Sequence, residues 1–370
     1  MSSASSNSGI FLHVWPGQWD LPSFDPLCLA SVLYLQFAIP GKFKVVETSN
    51  PDASPAGQLP YLVHEKHVVA SFPSIVKYVS ELQATDPSVY PNSNLDARLS
   101  STDRAKSTAW NAHAESHLGD LVYHTLFSVD ENWSTFVGPM LAGLYPVPQK
   151  YFVPRRIRES YMPKLQAAGL WSAVVQEKPR EKPFQRDVKP LPKEGLKTNA
   201  NVAQTFEREK ANQKARTEFE LYEELLRGRD FVFHDSFSSV DSAIAAHTIL
   251  LLRPPHPDSL FKDLILKSYP CISLHAERIH TLALGPHASR IPTTPLSTSS
   301  LWSLVSSSWP PKPLKAGPPT SGLESEQSNR IAWGLFGIAV GSLATYIAVV
   351  GGQSKAVGED EGQISQKYES

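Results

Sequence analysis

Residues 59–82 read LPYLVHEKHVVASFPSIVKYVSEL, and the fold follows from this stretch. Leu59-Pro60-Tyr61-Leu62-Val63 and residues 67–70 are apolar, β-branched runs parted by a short turn at Glu65-Lys66, which predicts a hairpin. Residues 71–82 then form a helix, with Ile75, Val76 and Val79 at helical spacing. Upstream, residues 11–15 (FLHVW) are a short strand, and Pro16-Gly17 with residues 21–26 make a loop. Residues 27–39 are an apolar helix ended by Pro40-Gly41. Residues 44–48 are a second strand, and 49–57 a loop rich in Pro, Ser and Asn. Residues 1–8 are a Ser-rich tail.

The order β-α-β followed by β-β-α, with Pro60 entering the third strand, is that of a thioredoxin-like domain, here residues 9–84. Beyond Asp86-Pro87 the pattern turns helical, and residues 85–283 are expected to form an all-α domain. Residues 95–127 contain no proline and carry Trp110, Leu118, Leu121, Val122 and Leu126 at three-four spacing. Residues 203–227 form another long helix, with Phe206, Ala215, Phe219, Tyr222 and Leu226 assigned to one face. Between them, residues 176–200 hold four prolines, seven Lys/Arg and four Asp/Glu, a basic solvated insertion. Ser238 and Asp241 stand three apart before an apolar helix, the spacing of an N-terminal cap. Residues 284–329 are a Ser/Thr/Pro-rich linker, apolar only at 301–309. No internal repeat is present.

Residues 331–350, IAWGLFGIAVGSLATYIAVV, carry no charge. At about 1.5 Å per residue they span the roughly 30 Å of a bilayer's hydrocarbon. A polar tail, 351–370, follows. No Lys or Arg precedes Lys42, which argues against an Arg-rich presequence. The expectation is a tail-anchored protein whose bulk faces the cytosol. Across 370 residues, 35 Lys+Arg balance 36 Asp+Glu, which speaks against nucleic acid as a partner. Two cysteines, Cys28 and Cys271, cannot build a disulfide framework or a four-thiolate metal site. In the span, Gly337 and Gly341 share one face with Ala344 and Ala348, a stripe suited to close packing against a membrane partner.

The entry through Leu59-Pro60, the helix opening Ser71-Phe72-Pro73 and the Ser238–Asp241 cap resemble the glutathione-transferase fold. More narrowly, Leu12-His13-Val14-Trp15-Pro16, Phe24-Asp25-Pro26 and Pro60-Tyr61-Leu62 resemble the metaxin family. With the C-terminal span, the chain is similar to the fungal metaxin-like subunit of the mitochondrial sorting and assembly machinery (the SAM complex). The resemblance covers residues 10–283 and the anchor; the basic insertion departs from it. It implies a subunit of the mitochondrial outer membrane, set beside a β-barrel insertase and a second metaxin-like subunit. There it would support insertion and release of β-barrel precursors.

The residues point away from chemistry. A glutathione transferase needs a hydroxyl or thiol after its first strand and an acidic-Ser pair before the helix at residue 71. Here the first is Ser23 at best, and the second reads Ala70-Ser71, without a carboxylate. Losing that contact leaves the ligand's ammonium unpaired. Cys28 lies in an apolar helix as a packed thiol. His113, His117 and His124 follow one helical face with Asp120 nearby, yet no companion ligand is identifiable, so the stripe is read as a polar face. Ser74-Ile-Val-Lys77 lacks the partner motifs of Ser-x-x-Lys enzymes. Asn132-Trp-Ser134 is a glycosylation sequon that a cytosolic domain does not present, and Pro310–Pro313 is linker. No catalytic residue, cofactor or metal is expected; Pro60, Ser238 and Asp241 are assigned structural roles. Two rival readings remain: a membrane-anchored glutathione-transferase-like enzyme, and a general adaptor of transferase fold.

Overall fold

The computed structural model describes residues 9–171, 193–233 and 236–296, with 193–204 as backbone only. The chain divides into units 1–306 and 307–370, and every described residue belongs to the first. Ile10–Val14 forms β1, Phe43–Glu47 β2, Tyr61–His64 β3 and His67–Ala70 β4. Helix α1 (Pro26–Ala38) connects the first two strands, and α2 (Phe72–Thr85) follows the fourth. β1 is central: it runs parallel to β2, with Leu12 opposite Val45, and antiparallel to β3, with Leu12 opposite Leu62. Its inward residues Ile10, Leu12 and Val14 are buried, as the two-residue period of a strand requires. β3 and β4 pair as the hairpin, Leu62 opposite Val69.

α1 is apolar all round because both of its sides are covered. β1 and α2 pack on one side, while α9 (Ser239–Leu252) and α11 (Pro270–Leu284) pack on the other. One hydrophobic core therefore runs from the sheet into the helices. Asp25 starts α1: its Oδ1 accepts from Leu27 N (3.1 Å) and Cys28 N (3.0 Å), with Pro26 at a position that needs no donor.

The helix expected over 95–127 begins at Ser101. Ser100 caps it, its Oγ accepting from Asp103 N at 3.1 Å, so a local cap overrides the proline-free run. The path is α3 (Ser101–His113), a π-helical turn Ala114–Leu118, α4 (Gly119–Tyr123), and a second π turn His124–Ser128. After α5 (Asp130–Asn132) come a third π turn, Trp133–Val137, α6 (Gly138–Gly143) and α7 (Val153–Ala167). α8 (Lys193–Leu226) starts ahead of the expected residue 203, directly after Pro192, so residues 193–200 of the expected insertion are helical. Phe206 is 67% exposed, against the expectation that it shares the buried face of Ala215, Phe219, Tyr222 and Leu226. Nine residues before Ala215 is about two and a half turns, the opposite side; Ala211 continues the buried face instead. α10 (Leu260–Ser268) lies between α9 and α11.

The expected linker also differs at its start. Thr293–Thr294 forms β5, parallel to β2 with Thr293 opposite Val45, giving the sheet order β4-β3-β1-β2-β5. Val45 N donates to Pro292 O (2.9 Å), and Leu296 N donates to Glu47 Oε2 (3.1 Å). Among the described residues no helix is long and apolar enough to cross a membrane. The expected span 331–350, with Gly337, Gly341, Ala344 and Ala348, lies outside the described residues, as do 301–309 and 176–192.

Candidate functional site

The resemblance to glutathione transferases directs attention to where the β1–α1 loop meets Pro60 and the start of α2. Three contacts pin this loop. Gly17 N donates to Glu47 Oε1 (2.9 Å). Trp19 and Asp20, both at positive φ (56° and 62°), form the turn closed by the paired hydrogen bonds of Gln18 and Leu21. That turn lays the Trp19 ring on Phe136, centroids 5.2 Å apart, on the helical side. Ser23 is fully buried, its Oγ accepting from Asp25 N at 3.3 Å. Between the loop and the helices, Trp15, Phe24, Asp25, Tyr123, Phe127 and Tyr161 enclose about 10 Å³. That is room for about one water molecule.

The other candidate groups there are equally committed. Burial pushes the Cys28 thiol well up, and the neighbouring Asp25 carboxylate pushes it further, so no thiolate forms. Burial also raises the Asp25 carboxyl, against the lowering effect of its hydrogen bonds from Cys28, Tyr123 and Leu27. The Leu59-Pro60 bond is cis, and Pro60 O accepts from Ser71 N at 3.2 Å. Ser71 sits at φ 75°, a conformation costing about 1–3 kcal/mol for a non-glycine residue. Its Oγ donates to Ser74 Oγ (3.0 Å), with Ala70 rather than a carboxylate before it.

Asp241 is the centre of a buried polar cluster. Its Oδ2 accepts from Ser238 N (2.9 Å) and Ser238 Oγ (2.6 Å). Its Oδ1 accepts from Val232 N (2.8 Å) and lies 2.9 Å from His275 Nε2 of α11. Asp241 and His275 are both fully buried. The Ser238–Asp241 cap thus also ties the turn before α9 to α11. Asn132 serves a similar purpose: its amide donates to Thr125 O (3.0 Å) and Asp258 O (3.2 Å) and accepts from Asp258 N (2.8 Å).

The histidine stripe divides. His124 Nδ1 contacts Leu170 O at 2.7 Å, and Asp120 pairs with Lys164 at 3.3 Å, so neither joins the others. His113 and His117 stack, ring centroids 4.2 Å apart and 17° from parallel, and both face Glu218 of α8. This third ligand-type residue is a hundred positions downstream, out of reach of any local motif. A separate cleft of about 180 Å³ is lined by His124, Ser128, Asp130, Arg208, Asp258 and Phe261, among others. There Arg208 forms an ion pair with Asp258.

Residues 28–158 match the Tom37 family, described as an outer mitochondrial membrane transport complex protein. Over 246 residues the chain is 27% identical to metaxin-1 of Mus musculus, an alignment covering 66% of each protein. Over 328 residues it is 25% identical to metaxin-1 of Macaca fascicularis, covering 89% of this chain and 86% of that protein. Among solved structures, a glutathione S-transferase of Ceriporiopsis subvermispora in complex with glutathione aligns with a TM-score of 0.44 and 17% identity. It covers 76% of this chain and 100% of that one.

Proposed function

The chain belongs to the metaxin family, and on that premise we propose that it is a non-enzymatic subunit of a protein transport complex in the mitochondrial outer membrane. The observation that carries the non-enzymatic reading is Ser23: the one serine hydroxyl of the β1–α1 loop is fully buried and accepts from Asp25 N, so it is not presented to a ligand. Ser71, preceded by Ala70, has no carboxylate beside it in the sequence. In this reading the transferase-like fold is a rigid body that offers surfaces to other subunits.

The finer assignment is that the subunit supports insertion and release of β-barrel precursors, beside a barrel-forming insertase and a second metaxin-like subunit. Residues 331–350 would anchor it in the bilayer with its bulk toward the cytosol, and the Gly337–Gly341–Ala344–Ala348 stripe would pack against a membrane partner. Native electrophoresis of gently solubilised mitochondria, with the full chain carrying an affinity handle, tests this. The expected result is a large complex from which a β-barrel protein co-purifies. Replacing Gly337 and Gly341 with Leu keeps the span hydrophobic and is expected to reduce that barrel's recovery while the protein still reaches the membrane. A protein that migrates alone, or that is retained on immobilised glutathione and conjugates it, overturns the assignment.

A further inference from the structure

We propose that His113, His117 and Glu218 form a zinc site that ties the α3–π segment to α8. Their three ligand atoms all lie within 4.8 Å of one another. His117 Nδ1 is 2.9 Å from Glu218 Oε1, and His113 Nε2 is 3.7 Å from Glu218 Oε2. At Zn–N and Zn–O lengths near 2.0–2.2 Å, ligands of a tetrahedral ion stand about 3.3–3.5 Å apart. Closing the three atoms onto one ion takes shifts of about an ångström together with a turn of the half-exposed His117 ring out of its stack on His113, since the ion lies in the plane of each imidazole it binds.

Three further features favour an ion over a plain ion pair. First, His113 is oriented from behind. Its Nδ1 is 2.7 Å from the hydroxyl of the buried Tyr222, one turn along α8 from Glu218. A metal-ligating histidine characteristically donates its other ring N–H to such a partner, which leaves the Nε2 lone pair free for the ion. Second, His117 Nδ1 is buried and makes no hydrogen bond, although the carboxylate oxygen is 2.9 Å away. The carboxylate is close without being aligned, so the in-plane lone pair of the ring is open. Third, the two histidines bracket the start of a π-helical turn, Ala114–Leu118, a wound-out geometry that recurs at functional sites. That turn sets the two rings beside each other, centroids 4.2 Å apart.

The donor set selects the metal. Two imidazoles and one carboxylate suit Zn²⁺, and three protein ligands leave a fourth position for water. The His117 side chain is 42% exposed, which gives solvent and the ion access to that position. The cation would also meet the Glu218 carboxylate, 11% exposed beside the two rings.

The test uses the untagged full chain in detergent, stripped with a chelator and titrated with ZnCl₂ by calorimetry. A parallel titration with CoCl₂ reads the visible bands of a four-coordinate ion. One Zn²⁺ per chain and a metal-dependent rise in melting temperature are expected. Tyr222→Phe removes the acceptor behind His113 and should weaken Zn²⁺ binding by about 10–100-fold. His117→Ala and Glu218→Gln should each abolish stoichiometric binding, whereas His67→Ala, on β4 outside the cluster, should not change it. If Glu218→Gln loses its fold by circular dichroism, His117→Ala, a half-exposed position, decides alone. No Zn²⁺ bound by the wild-type chain, or binding undiminished in His117→Ala, overturns the proposal.

Discussion

Replacing Asp241 removes the shared acceptor of four groups at once. In Asp241→Ala, Val232 N–H and Ser238 N–H lose their partner inside the core, Ser238 Oγ loses a 2.6 Å contact, and His275 Nε2 faces a void. Hydrogen bonds to a charged acceptor contribute about 1.5–3 kcal/mol each, and a buried donor left without its partner costs about 1–3 kcal/mol. These contributions overlap, so the expected loss is about 4–5 kcal/mol, a large share of the roughly 5–15 kcal/mol available to a domain. Asp241→Asn is more informative. All four groups around the carboxylate donate, yet an amide offers one oxygen and one NH₂. Whichever way it turns, its NH₂ faces an N–H donor, so about 2–4 kcal/mol should be lost although shape is kept. Ser238→Ala removes one hydroxyl contact and should cost about 1 kcal/mol. Denaturant unfolding followed by circular dichroism gives the three values. An Asp241→Asn protein within about 0.5 kcal/mol of wild type would refute the argument that this cluster holds α9 to α11.

Three further outcomes are expected. His247 and His256 are buried and held near a pKa of about 4, chiefly by loss of hydration, against 6.5 when unfolded. The unfolded chain therefore binds more protons as pH falls below 6.5, and stability should drop by roughly 2 kcal/mol per histidine by pH 5, levelling below pH 4. Asp25 acts in the opposite sense, since its raised carboxyl takes up a proton earlier in the folded state. Melting temperatures across pH 7 to 5 measure the slope, and His256→Leu, which keeps the packing on Trp19 and Phe136, should flatten it. Glu47→Ala removes the acceptor of both Gly17 N and Leu296 N, so about 1–2 kcal/mol should be lost and hydrogen exchange at those two amides should quicken. Unchanged exchange would show that the loop and β5 hold without it. Gly138→Ala places a methyl 2.8 Å from Trp133 O at the end of a π turn, and should lower stability by about 1–3 kcal/mol in thermal unfolding.

The half of the chain around the sheet was legible because its signals are local. Apolar β-branched runs, Pro40-Gly41 after α1 and the Glu65-Lys66 turn each act within a few residues, and β1 to α2 stand within a few residues of their expected limits; the cap Asp25 reads only as loop in the sequence. The helical half was legible as helices but not as contacts. Nothing near Asn132 announces that it clamps Asp258, since the two stand more than a hundred residues apart. Phe206 departs from the expected face because nine residues of helical rotation carry it to the side opposite Ala215. Ser238 and Asp241 were visible as a spaced pair, whereas His275 was not, since its contribution depends on how α11 crosses α9. Glu218 was hidden for the same reason: a pairing across a hundred residues leaves no trace in a helical wheel.

The parallel pairing of Thr293–Thr294 with β2 changes what the sheet can recruit. An unsatisfied strand edge is a template for any extended peptide. On the β2 side the template is already taken by a segment of the same chain, and a tethered segment acts at an effective concentration in about the millimolar range for a short flexible connection. A free peptide at micromolar concentration loses that competition by a factor of about a thousand unless its own contacts are far better. Strand addition by another protein is thereby directed to the opposite side, where β4 offers only His67–Ala70. A protease that cuts within residues 285–292 would abolish the tether and reopen the longer edge, converting a self-sealed sheet into one that accepts strands.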